Sequence, residues 1–444
     1  MTISPTSRAA RRWAGGLALG LSLGLGACDS ILDVHDPDIV TEAGSAAGAI
    51  GLHNGVVLRF NQAFDGSGDA PDGFFLLGGL LADEWRSGDT FEQRNTTDFR
   101  IVQTTNSFLP TIYRSANRIR VEGAAAITAL RTYPPPTAAP YIARMFALTA
   151  FAENQMGEFF CNGIPFSEVN GDQIIYGNPV SYDSATKRAV THADSAIATA
   201  IGTTADTARI KNLARVIKGR ALLNLNQPAA AAAAVAGVPD NFVYLSQHSV
   251  NSTDNVLWLQ GISLRRYVMG DREGTNGLNF IGANDPRLPT AIPALPNSFD
   301  NTLQNVPAPT LWNSRDSSVV IASGIEARMI EAEAAFRAGD VATFITKLNA
   351  ARATKAGLAP LVDPGSDDAR VDLLFRERAF WLFSTGHRLG DLRRLIRQYG
   401  RGSETVFPTG AWFKGGVYGT DVNFPVPFSE NNNPNFTGCT NRAP

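Results

Sequence analysis

The sequence predicts an all-α fold of tetratricopeptide-like helical hairpins carrying a long loop-rich insert. Three observations carry that reading. Apolar residues recur at three- and four-residue spacing through successive segments, the pattern of one buried helix face. Two stretches, "AEAAFRAGD" and "GRALLNLNQPAAAAAA", read as a helix, a short turn and a second small-residue helix. From about 238 to 322 the spacing breaks down among scattered proline, glycine and asparagine, and so long an irregular stretch is an insertion on a scaffold. No clean repeat of about 34 residues is present, so each element is justified separately.

The chain opens with Arg8, Arg11 and Arg12 ahead of an apolar run from Trp13 to Ala27. Spanning a bilayer takes about 20 apolar residues; this run is shorter and is thinned by Gly15, Gly16, Gly20, Gly24 and Gly26. A basic start and a short apolar run make residues 1–27 a secretory signal peptide. The quartet Leu25-Gly26-Ala27-Cys28 resembles the lipobox of bacterial lipoproteins. That resemblance implies cleavage before Cys28, lipidation of its sulfur and new amine, and an anchor well beyond the marginal grip of one acyl chain. Residues 28–42 are then a lipidated flexible leader, and 43–444 a single helical domain with the insert at about 238–322.

"ILDVHDPDIVTEAG" reads as an extended lead with Thr41 as the first N-cap. "SAAGAIGLHNGVVLRFNQAF" has helical spacing through Ile50, Val57, Leu58 and Phe64, and a turn follows at "DGSGDAPDG". Helices are expected again over Leu77 to Arg86, in "FLPTIYRSANRIRVEGAAAITAL", and in "PYIARMFALTAFAENQMGEFF" with Pro140 at its start. "YDSATKRAVTHADSAIATAI" and "DTARIKNLARVIKGRALLNLNQPAAAAAAVAGV" continue the series, the alanine run 229–234 being strong helix former rather than low complexity. Beyond the insert, helices return in "SGIEARMIEAEAAFRAGDVATFITKLNAARATKAGL" and "DARVDLLFRERAFWLFSTGHRLGDLRRLIRQYG", before an irregular tail, "VNFPVPFSENNNPNFTGC".

Composition excludes some functions. The formal charge is −2, the signal removes three arginines and no acid, and no basic run remains, so a nucleic-acid partner is not expected. Cys161 and Cys439 form a candidate disulfide in an oxidising exported compartment; no spacing motif enforces the pairing, and two unpaired thiols are the alternative. The one G-x-S-x-G match, Gly20 to Gly24, lies in the signal, and His35, His53, His192, His248 and His387 form no HExxH. No catalytic residue, metal or cofactor is expected. A glycosidase needs two carboxylates across a cleft, and 41 acidic residues leave that alternative open. Asp65, Asp69 and Asp72 have a calcium-like rhythm without the closing glutamate of an EF-hand, and are read as a turn. In "GHRLGDLRRL", Leu389, Leu392, Leu395 and Ile396 make a buried stripe, with Asp391 and Glu377 available to pair with arginines on a solvated or ion-paired face.

Six motifs in order resemble the SusD/RagB family of outer-membrane nutrient-binding lipoproteins. "LDVHDPDIVTE" is similar to the family leader, "LLADEW" to its "ADE" element, and "IYRSANRI" and "ARMFALTAFAENQMGEFFCNGIPF" to two of its helices. Met329-Ile330-Glu331-Ala332-Glu333-Ala334 and "LNAARATKAGL" follow. The most specific match is to "ERxxELxFEGHRxxDLRR", met by Glu377, Arg378, Leu382, Gly386, His387, Arg388, Asp391, Leu392, Arg393 and Arg394. Trp381 and Thr385 depart from it, each standing where the motif has glutamate, and so does Ser384, which stands where it has phenylalanine. "FPVPFSENNNPN" matches the family tail.

The resemblance implies an all-helical surface protein that caps a SusC-like TonB-dependent outer-membrane transporter and binds an oligosaccharide or other nutrient before uptake. A lipid-anchored glycosidase and a purely structural helical-repeat scaffold are the alternatives. Sugar rings are recognised by flat aromatic faces beside polar groups. The candidate ligand-binding residues are therefore the loop aromatics Trp85, Phe91, Trp258, Tyr267 and Trp312, with Asn95, Arg265 and Arg266 as polar neighbours.

Overall fold

The computed structural model describes residues 44–66, 72–171 and 173–444, all within one unit, Thr41–Pro444. Cys28, the signal, the leader, Thr41 and Asp69 lie outside the described residues. The first helix, α1 (Ala46–Phe64), is capped by Ser45, whose extended backbone lets its Oγ accept the Gly48 N–H at 3.1 Å. It buries Ala49, His53, Val56, Phe60, Ala63 and Phe64, a single stripe at three- and four-residue steps.

The helices α2 (Gly73–Leu81), α3 (Glu92–Asp98), α4 (Leu109–Thr132) and α5 (Ala138–Phe159) follow, then α6 (Tyr182–Thr199), α7 (Ala205–Asn224) and α8 (Pro228–Val235). After the insert come α9 (Gly324–Arg337), α10 (Val341–Ala353), α11 (Asp367–Trp381) and α12 (Arg388–Tyr399). Successive members of the long series pack on one another: α4 on α5, α5 on α6, α6 on α7, α7 on α8, and α9 on both α8 and α10. The fold is all-α, as the hairpin pattern predicts. Helix α5 sits centrally and is buried on every face from Ala147 to Phe159, its Glu153, Asn154, Gln155 and Glu158 included. The α7–α8–α9 contact depends on Gly219, where a Cβ would meet Val235 Cγ1 at 2.5 Å and Ile330 Cδ1 at 3.1 Å. Of the alanine run, Ala231 is buried and the rest is partly or fully open, so that run serves helix formation more than packing.

Several elements differ from expectation. The helix expected over Leu77 to Arg86 ends at Leu81, and Trp85–Ser87 becomes a strand, β1. Helix α5 begins two residues ahead of Pro140, which is tolerated in a first turn whose N–H groups lack helical acceptors. The insert contains strands: Val243–Ser246 (β2) pairs antiparallel with Val319–Ser323 (β4), zipping its two ends together. Tyr267–Met269 (β3) pairs antiparallel with β1, Ser87 opposite Tyr267 and Trp85 opposite Met269. Long-range pairing of this kind overrides local helical spacing.

The motifs "LLADEW" and "STGHRLGDLRR" form one joint. Asp83 holds Arg388 through two bonds of 2.5 and 2.8 Å, Glu84 Oε1 accepts the Ser384 N–H at 2.9 Å, and Trp85 Nε1 donates to Ser384 Oγ at 3.0 Å. In α12 the leucine stripe is buried as expected, but so is the charged face. Arg378 grips Asp391 at 2.7 and 2.8 Å, Arg394 pairs with Glu333, and Arg393 donates to the carbonyls of Gly157, Glu158 and Phe160. Glu377 pairs with Arg287 and Arg352, each at 2.8 Å. These arginines are committed, so the face is ion-paired and not solvated. Asp65 and Asp72, read from sequence as turn residues, are buried in pairs with His248 and Arg94. The tail is knitted to the end of α5: Phe424 stacks on Phe159 at 4.0 Å, Thr440 N donates to Asn162 O at 2.8 Å, and a disulfide joins Cys161 to Cys439.

Candidate ligand-binding site

The β1–β3 pair delivers the loop after "ADEW" to the edge of the insert. Gly88 makes the closest approach: its N–H donates to Arg266 O at 2.9 Å, its carbonyl accepts Asp300 N at 3.0 Å, and Phe299 N donates to Arg265 O at 3.1 Å. A Cβ at Gly88 would stand 2.7 Å from Arg265 O and 2.8 Å from Ser298 Cβ, so glycine is required for the two segments to meet. Arg265 itself adopts a positive φ of 55° there.

On this joint stands a column of alternating rings and guanidinium groups. Trp85 meets Tyr267 edge-on at 6.4 Å. Arg94 lies 5.3 Å from the Tyr267 ring centroid, 4.9 Å from Phe108 and 5.4 Å from Phe91. Arg266 lies 5.2 Å from Phe91 and 3.8 Å from Phe299. Each cation over a ring face contributes about 0.5–2 kcal/mol, and the charges are balanced locally. Asp72 holds Arg94, and Asp89 holds both Arg94 and Arg266, the latter at 2.9 and 3.1 Å. Lys414 closes the network, donating to Asp89 O and Asn95 Oδ1 at 2.8 Å each and pairing with Asp300 at 2.6 Å.

Two rings emerge from the column: Phe91 is 48% exposed and Phe299 40%. Large apolar rings held open to solvent on a braced, charged platform make a surface for the apolar face of a ligand ring, with Arg266, Lys414 and Asn95 beside it for polar groups. The nearby carboxylates are held ionised. Burial pushes Asp89 up, but Arg94, the Thr90 N–H and Arg266 outweigh it and leave it below the usual carboxylate range. Lys414, Ser298 and Thr302 likewise overcome burial at Asp300. Asp98, pushed up to about 8 by burial and then by Glu273, is buried behind the patch, where it accepts from Ser87 N and Trp412 Nε1.

The five aromatics expected at a site divide. Phe91 is on the exposed patch. Trp85 and Tyr267 are 0% exposed and cannot touch a ligand; they are corrected to anchors beneath Phe91, because the β1–β3 pairing turns them inward. Trp258 is half-buried against the core, and Trp312, 6% exposed, lines a separate cavity. Arg266 and Asn95 join the patch, whereas Arg265 is spent on the Asn297 and Ser263 carbonyls. Sequence reasoning missed Phe299 and Lys414. The ring-rich, glycine-flanked "AWFKGG" was a readable signal of the second; Phe299 in "NSFDN" is an aromatic residue in a polar loop, the same signal that Phe91 carries. Among the described residues no cluster of histidine, cysteine and carboxylate could hold a metal, and no helix is long and apolar enough to cross a membrane.

No sequence-family model matches the chain, and no curated protein matches it by sequence. Solved structures do. A SusD superfamily protein from Bacteroides thetaiotaomicron superposes with a TM-score of 0.66 at 13% identity, over 89% of this chain and all of the other. Another from Parabacteroides distasonis gives 0.66 at 14% identity, over 89% and 98%. A SusD-like carbohydrate binding protein from Bacteroides vulgatus gives 0.57 at 13% identity, over 78% and 83%. At such identities the likeness shows the fold.

Proposed function

We propose that this chain, which has the fold of SusD superfamily proteins, is a surface lipoprotein that binds a nutrient glycan and passes it to a SusC-like TonB-dependent outer-membrane transporter. The observation that carries the binding role is the exposed Phe91–Phe299 pair, braced by Arg94 and Arg266 on a joint that a single added Cβ would break. One structural neighbour of the same fold is described as a carbohydrate binding protein, which supports the ligand class. Binding is favoured over hydrolysis by the state of the acids. A glycosidase needs a carboxyl with a raised pKa facing its substrate, whereas Asp89 and Asp300 beside the rings are held low.

Purified protein is expected to bind an oligosaccharide saturably in a glycan array, with no release of reducing ends. Phe91→Ala and Phe299→Ala should each weaken that binding by roughly 2 kcal/mol, about thirtyfold, as loss of a central ring does. Retained affinity in both variants would exclude the patch, and product formation would establish the glycosidase reading.

The anchor and the transporter rest on the lipobox at Cys28. A lipid-held body can capture a nutrient, but moving it across the outer membrane needs a closed barrel through the lipid. Cys28→Ala should abolish palmitate incorporation and shift the protein from membrane to soluble fraction; unchanged labelling would remove the anchor from this account.

A further inference from the structure

A second cavity, of 320 Å³, opens between β4 of the insert and the α11–α12 junction. Its walls are apolar, built by Leu288, Leu311, Trp312, Ile325, Phe380 and Trp381, and at its mouth Val243, Leu311 and Val320 stay exposed. An apolar cavity of about 150 Å³ admits one benzene, so this one has room for a fused bicyclic ring. Its polar groups fall into two kinds. Glu326 is spent on Arg220 at 2.7 and 2.9 Å and on His387 at 2.9 Å. Arg287 is spent on Asp285 and Glu377, and Thr385 Oγ1 lies 2.8 Å from His387 Nδ1. The other kind is unspent. Lys355 lines the same cavity, and its ammonium has no carboxylate partner among the described residues.

A lysine at the edge of an apolar cavity with no counter-ion selects a negative charge. Trp381 and Thr385 both line this wall, and both stand where the motif that α11 and its following loop resemble has glutamate. Two carboxylates at those places would repel an anion; a ring and a hydroxyl do not. We propose that this cavity is a second ligand site, separate from the glycan patch, and that it takes a small aromatic carboxylate: rings between Trp312, Phe380 and Trp381, and the charge at Lys355.

The test uses 2-naphthoate as probe and 2-naphthalenemethanol as its neutral counterpart, titrated calorimetrically against the purified protein. Saturable one-to-one binding of the acid is expected, at least tenfold tighter than the alcohol. Lys355→Met should erase that preference, and Trp381→Ala, which removes a ring from the wall, should weaken the acid and the alcohol alike, about tenfold. Both variants should retain the wild-type circular dichroism and glycan binding, and Phe91→Ala should leave naphthoate affinity unchanged. Absence of saturable binding, or an affinity that survives either Lys355→Met or Trp381→Ala, would overturn the assignment whatever the fate of the glycan patch.

Discussion

Replacing both Cys161 and Cys439 by alanine is expected to lower the unfolding free energy by about 4–5 kcal/mol. The two cysteines are 278 residues apart, and joining them closes a loop of that length, which removes from the unfolded chain the freedom of the tail relative to the end of α5. The folded state is prepared for the link. Cys161 N donates to Phe424 O at 2.8 Å, Asn162 and Asn441 pair through their side chains at 2.9 Å, and Phe424 lies flat on Phe159. Without the bond, those contacts must bear the entropy of a free tail. Urea unfolding of the oxidised protein, the double variant and the protein kept in reductant checks this: the latter two should share a lowered midpoint. A double variant as stable as the oxidised protein would show that the tail contacts suffice.

Glu84→Gln is expected to make stability less dependent on pH. Burial, with help from Asp83 and Asp391, pushes Glu84 up to about 8 against the opposing Ser384 N–H and Arg388. A carboxyl whose folded pKa lies above its unfolded one binds its proton more tightly in the fold. Its contribution is therefore full below the unfolded value of 4.5 and is lost as pH rises through about 8. By about pH 9 that loss amounts to roughly 5 kcal/mol. Glutamine keeps an oxygen for the Ser384 N–H and cannot ionise. The variant should match or fall slightly below wild type at about pH 5 and exceed it at about pH 9. Asp98 supplies a slope of its own in the same window, so the quantity to read is the difference between the two curves. Parallel curves would mean that Glu84 is already charged at neutral pH.

Both expectations depend on how much of the molecule was legible beforehand. The long helices were, because their stripes are local. The helical spacing of α1 needs no knowledge of the partner, but its face was misjudged: of Ile50, Val57, Leu58 and Phe64 only Phe64 is buried, Leu58 is exposed, and the stripe is Ala49, Val56, Phe60 and Phe64. The strands of the insert were not. β1 and β3 are separated by about 180 residues of chain, and three-residue segments exist because they find each other, not because their sequences prefer to be extended. The ion pairs of α11 and α12 were legible in part. Asp391 and Glu377 could be named as partners for arginine, but that Arg393 spends itself on the carbonyls ending α5 depends on where α5 stops.

By itself the sequence determined the all-α class, the helical hairpins, the location of the insert and the family whose motifs it resembles. It also named Phe91, as one of five loop aromatics, since an aromatic residue in a polar loop is visible without a fold. What a given ring does was decided by tertiary structure alone. Trp85, Phe91 and Tyr267 were equal candidates, yet the β1–β3 register buries two of them and leaves the third open, and Phe299 and Lys414 arrive from far along the chain to complete its platform. The physical reason is one of range. Helical spacing is set within a few residues by 3.6-residue geometry, whereas exposure is set by whatever distant segment packs above, and here that segment is the insert, whose own spacing carries no regular pattern.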